Sequence, residues 1–205
     1  EAPPAPAAPP GRVWRSPLAW GLAGMFAMSA LNVYAMFAWL PSILAGLAGV
    51  SAATAGILLS VYSVVGLVPS LPVPLLAGRL KSVRGLALSG SALFLVGYGG
   101  LLLAPQPLVL LWVVLAGLGP LLFPLVLVLI NLRTRTPQGA VALSSFAQSF
   151  GYAFGALGPL LIGILHDATG SWNAPVVMLL VTGVVAGVCG LVVAGPRMLE
   201  DQWHN

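Results

Sequence analysis

The chain has 205 residues, of which 59% are hydrophobic and only 6% charged, with a mean hydropathy of +1.03. Soluble domains carry about 25% charged residues, so these few charges cannot cover a water-facing surface and the composition is that of a membrane protein. The net charge of +4 is too small and too scattered for nucleic acid, and one cysteine, Cys189, excludes an internal disulfide.

The opening, EAPPAPAAPPGR, is rich in Pro and Ala and has no basic start followed by an apolar core. It reads as an extended linker over 1–16 rather than a signal peptide, so a further segment is expected before it. A membrane-spanning helix needs about 20 mostly apolar residues. Six runs meet that length, at 18–44, 52–76, 85–104, 108–130, 139–165 and 174–194. They are too long for barrel strands and do not alternate with period two. The predicted fold is therefore all-α, a six-helix transmembrane bundle over 17–195 with a cytoplasmic tail at 196–205.

The first run bends near Pro41 and carries one amide, Asn32, within a stripe of Met25, Met28, Met36 and Trp39. A methionine stripe usually packs, because Met fills irregular gaps. Asn32 is a candidate for a solute cavity, since an amide facing lipid would lose its hydrogen bonds. Trp39 is either a cavity residue or an interfacial anchor. In the second run, Ser60 and Ser63 read as bonding back to their own helix. Pro69, Pro72 and Pro74 interrupt this run, and Gly117, Gly119, Pro120 and Pro124 interrupt the fourth. Between the second and third runs lie Arg79, Lys81 and Arg84, a possible gating loop.

Arg133 ends the fourth run. It reads as an interfacial anchor or as a charge that draws an anion to the inner mouth. The fifth run holds SFAQSFGYAFGALGPLL, from Ser145 to Leu161. Ser144, Gln148 and Tyr152 recur every four residues and share one helical face. Gly151 and Gly155 form an adjacent small stripe, suited to close approach of a neighbouring helix. The polar stripe must meet protein or water, so two readings stand: a substrate path, or hydrogen bonds between helices. His166 and Asp167 follow as a helix end closing at Gly170.

All eight basic residues fall before the first run, between the second and third, between the fourth and fifth, or after the sixth. With six spans these regions lie on one side, which puts both termini in the cytoplasm. Three spans followed by three also match the size of an inverted repeat pair in transporters. The second span of each triplet has a late proline after a glycine, Gly66 with Pro69 and Gly158 with Pro159.

Three strings carry a family resemblance: WLPSIL (39–44), NLRTRTPQGAVALSSFAQSFGY (131–152) and GPLLIGILHDATGSW (158–172). They are similar to the last six helices of the cyanate permease and nitroimidazole transporter family of the major facilitator superfamily. The resemblance covers roughly 14–196. It implies twelve helices in two six-helix halves that rock against each other, this chain matching the C-terminal half. The loop AGRLKSVRG (77–85) departs from the superfamily pattern because it lacks an acid.

No Asp, Glu, Lys or Arg lies deep within a span, no Gly-rich phosphate loop precedes Lys81, and no catalytic triad or metal-ligand spacing occurs. No enzyme activity, cofactor or metal is expected. The expected function is secondary transport of a small solute, a cyanate-like anion or a small nitroheterocycle, across the inner membrane. The expected partners are that solute, the bilayer and an N-terminal six-helix half, on the same longer chain or a separate subunit. Two rivals are a non-transporting six-helix scaffold or sensor, and a half-size transporter that works as a dimer.

Overall fold

The computed structural model of the protein describes residues 10–195 and 197–202. Most of the expected linker, and positions 196 and 203–205 of the expected tail, lie outside the described residues. The first helix, α1 (Pro17–Ala48), starts where Ser16 accepts a hydrogen bond from the Ala19 amide at 3.2 Å, with Pro17 at the first helical position. It runs through Pro41 and stops at Gly49, whose φ of +64° is a left-handed conformation open to glycine. Ser51 caps the next helix in the same way, through the Thr54 amide.

That second span is broken. It comprises α2 (Ala52–Leu67), a 3-10 turn at Val68–Ser70, and α3 (Pro72–Arg79). The third span is one helix, α4 (Arg84–Leu103). The fourth is split at Gly119–Leu121 into α5 (Val109–Leu118) and α6 (Leu122–Leu132). The fifth consists of α7 (Pro137–Gly155) and α8 (Leu157–Thr169), joined at Ala156. The sixth is α9 (Asn173–Val193). Each break lies at or just before a proline, which has no amide proton and clashes with the carbonyl four residues back. The break at Ala156 is absent from the sequence reading, which ran the fifth span through as one helix. All six spans are long and apolar enough to cross a membrane, so the chain is an all-α integral membrane protein.

The pairing between spans is symmetric. The first span of each triplet packs on the second span of the other: α1 on α7 and α8, and α5 on α2. The two third spans, α4 and α9, pack on each other, and each also packs on the first span of the opposite triplet. Neither triplet closes on itself.

Glycines set the closeness of these seams. On α8, a Cβ at Gly158 would sit 2.7 Å from the Leu31 carbonyl oxygen of α1, a backbone atom that cannot turn away. On α7, Gly151 lies under the Phe26 ring of α1. The stripe read as a close-contact seam therefore meets α1 directly.

The C-terminal residues also pack. Leu199 is fully buried, and its amide donates to the Arg133 carbonyl at 2.8 Å. Glu200 Oε1 accepts from the Arg135 and Thr136 amides at 2.9 and 3.2 Å and from the Thr136 hydroxyl. Asp201 forms an ion pair with Arg135 at 2.7 Å, and Ser16 donates to Gln202. This strap ties the starts of α1 and α7 together at the end of the bundle that carries the basic loops.

Candidate functional site

Burial divides the spans. Only 22% of residues are buried in the most apolar window of the second and of the fifth span, against 39–61% in the others. These two spans leave the widest faces uncovered within the chain. On the second span the uncovered residues are mostly apolar, among them Ile57, Val64, Leu67 and Leu71, with Thr54, Ser60, Ser70 and Arg79 also exposed. On α7 the uncovered face includes Ser145, Ser149 and Tyr152.

The polar groups of α7 have no partner on another helix. Gln148 is half-buried, and its amide nitrogen donates to the Ser144 hydroxyl one turn earlier. That bond stays within α7, so it does not fasten the bundle. Tyr152 is 43% exposed, with its ring edge against Phe26 at 5.0 Å between centroids. Phe26 packs in turn on Phe123 of α6 at 4.6 Å. This aromatic row separates the polar face of α7 from the interior of the bundle.

Beside Ser144 a cleft of about 360 Å³ opens between α6 and α7. Its walls include Leu127, Asn131, Val141, Ser144 and Ser145. Asn131 is exposed and donates to its own helix, to the Leu127 carbonyl at 3.2 Å. Asn131 and Ser145 extend the candidate set beyond the sequence reading. A helical projection could have found Ser145, because positions 145, 148 and 152 fall on one stripe of α7. Asn131 lies one residue past the predicted end of its span, at 130, yet inside α6.

The other candidates sit elsewhere. Asn32 has no exposed surface. Its amide nitrogen donates to the Met28 carbonyl at 2.7 Å and to the Thr182 hydroxyl of α9 at 2.9 Å. Trp39 is half-buried, and its indole nitrogen donates to the Pro159 carbonyl of α8 at 2.8 Å. Its ring neighbours Trp172, which stacks on His166 with centroids 3.8 Å apart. The structure thus brings together Ser144, Gln148 and Tyr152 and leaves Asn32 and Trp39 on other contacts.

Arg133 lies at the end of α6, with its Nε buried and unbonded. Desolvation by burial lowers its guanidinium pKa from the ordinary value. Arg79, Lys81 and Arg84 are exposed at the loop between α3 and α4.

A family model described as Major Facilitator Superfamily matches residues 22–202. Among curated relatives, an uncharacterized transporter of Bacillus subtilis (strain 168) is 36% identical over 180 residues, covering 87% of this chain and 44% of that protein. A 2-nitroimidazole transporter of Escherichia coli (strain K12) is also 36% identical over 180 residues, covering 87% of this chain and 45% of that protein. The cyanate transport protein CynX of the same organism is 32% identical over 164 residues, covering 80% and 42%. The chain spans under half the length of each of these three relatives. No solved structure matches it significantly.

Proposed function

The chain belongs to the Major Facilitator Superfamily, and on that footing we propose that it forms one six-helix half of a secondary transporter for a small solute. The observation that carries the reading is the uncovered polar face of α7. Ser145, Gln148, Ser149 and Tyr152 lie within a membrane span, yet among the described residues no other helix takes their hydrogen bonds. Polar groups at that depth need water, solute or a second protein surface. A path between this bundle and an opposing six-helix half supplies all three.

In this reading Ser144, Gln148 and Tyr152 line the path, and Asn131 and Ser145 continue it to the inner mouth. Arg133 adds positive charge near that mouth. The lining of this half is amide, hydroxyl and phenol, without fixed charge. Such a lining suits a small polar solute, a cyanate-like anion or a nitroheterocycle, with any counter-charge on the opposing half. The named substrates of two relatives fall in these classes. The opposing half belongs to the same longer chain or to a separate subunit, which includes a second copy of this one. The sorted basic loops support placing both termini on the cytoplasmic side of the inner membrane.

The test is uptake and efflux of 2-nitroimidazole and of cyanate by the transporter with both halves present, for the wild type and Gln148→Ala. Transport that falls in the variant, at equal amounts of membrane-inserted protein, supports the path. Unchanged transport removes Gln148 from it.

A further inference from the structure

We propose that the cleft between the α3–α4 loop and the end of α9 binds the phosphate of an anionic phospholipid headgroup. The cleft measures about 410 Å³ and is lined by Lys81, Ser82, Arg84, Leu191, Ala194 and Gly195. An ammonium, a guanidinium and a hydroxyl therefore border one space. Ser82 already accepts the Arg84 amide proton at 3.3 Å, which leaves its own O–H free to donate.

Among the described residues no carboxylate pairs with these cations. Among the described residues the only ion pair joins Arg135 and Asp201. Glu200 is held at the start of α7, and Asp167 lies near the end of α8, at the opposite face of the bundle. Two uncompensated positive charges beside an open cleft select an anion.

The position selects a lipid rather than a soluble anion. The cleft lies where α4 begins, at Arg84, and where α9 ends, at Val193. That is the level at which hydrocarbon gives way to headgroups. Exposed Leu88, Val188, Leu191 and Val192 flank the α4–α9 seam next to it. A phospholipid satisfies both parts, its phosphate diester accepting from Lys81, Arg84 and Ser82 while its acyl chains lie along the apolar bank. Basic pockets between membrane helices bind acidic headgroups by this combination. The inference needs an integral membrane protein and not the transport reading, so the two stand or fall separately.

The protein is reconstituted in nanodiscs of phosphatidylcholine with phosphatidylglycerol, re-extracted, and its retained lipid counted by native mass spectrometry. Phosphatidylglycerol should be retained in preference to phosphatidylcholine. Retention should fall roughly thirtyfold in Lys81→Gln/Arg84→Gln, the change expected for losing two basic side chains at about 1 kcal/mol each at an anionic surface. Lys81→Arg/Arg84→Lys should keep it, which separates charge from misfolding. Arg15→Gln, a cation outside the cleft, should not change it. Equal retention in the double Gln variant, equal loss in Arg15→Gln, or equal retention of phosphatidylcholine overturns the proposal. In detergent, phosphatidylglycerol should raise the melting temperature, and an equal rise with inorganic phosphate overturns the lipid assignment in favour of a free-anion site.

Discussion

Asn32 of α1, fully buried, and Thr182 of α9, half-buried, are joined by a 2.9 Å hydrogen bond. The two residues are 150 positions apart in the chain. Thr182 passes the interaction on, donating to the Leu179 carbonyl of its own helix at 2.7 Å. Bonds of this kind between membrane helices contribute about 0.6–1.7 kcal/mol. Asn32→Ala should lower the unfolding free energy by about 1 kcal/mol and leave the KM for transport unchanged. Denaturant unfolding in mixed micelles measures the first quantity and flux kinetics the second. An altered KM with unaltered stability would place Asn32 on the solute path.

Close approach at the α1–α8 seam gives a second expectation. Gly158→Ala sets a methyl 2.7 Å from the Leu31 carbonyl oxygen, and the two helices must separate. Overpacking of this sort costs about 1–3 kcal/mol. Gly56→Ala in α2 meets nothing within 4 Å and should be neutral or mildly stabilising. Melting temperatures of the pair decide it, and similar shifts in both would mean that the seam is not set by the missing Cβ.

On the polar face of α7, losing one neutral hydrogen bond to solute corresponds to about 0.5–1.5 kcal/mol. Tyr152→Phe keeps the ring on Phe26 and removes only the hydroxyl. Solute affinity should therefore weaken by roughly two- to tenfold while stability holds. Competition by unlabelled solute reads the affinity. A variant that melts earlier but transports with wild-type affinity would make Tyr152 a packing residue.

Glu200, 64 residues away, accepts the amide of Thr136, the residue whose own side chain caps α7. Removing hydrogen bonds to a charged group of this type costs about 1.5–3 kcal/mol. In Glu200→Ala the amides of Arg135 and Thr136 lose their acceptor, so hydrogen exchange at 135–139 should quicken while α9 is unaffected. Exchange that rises equally throughout the protein would point to global destabilisation instead.

These contacts mark what the sequence carries. Each span is written locally, because a run of about 20 apolar residues has few alternatives in a bilayer. The α7 face is also local, since Ser144, Gln148 and Tyr152 reveal their common side by spacing alone. The partner of Asn32 is not, and its amide looks the same in sequence whether it meets solute or Thr182. The break at Ala156 is half legible, for Pro159 announces a bend without fixing where the ladder opens. Glu200 and Asp201 read as solvated tail, because their partners belong to a turn remote in sequence. Likewise Lys81 and Arg84 read as loop charges, and only the nearness of α9 makes a cleft of them.

The exchanged pairing of the two triplets has a consequence for biosynthesis. While the ribosome is still making α7, the seams of α1 that will take Gly155, Gly158 and Thr182 lack those partners. The last of the six spans, α9, then touches the first and the third spans at once. The first three spans can be threaded into the bilayer in order, but packing between the triplets begins only with the fourth span, through α5 on α2 and α4, and is completed by α9. The seams that α1 forms with α7, α8 and α9 thus close late in synthesis, and lipid or insertion factors shield them meanwhile.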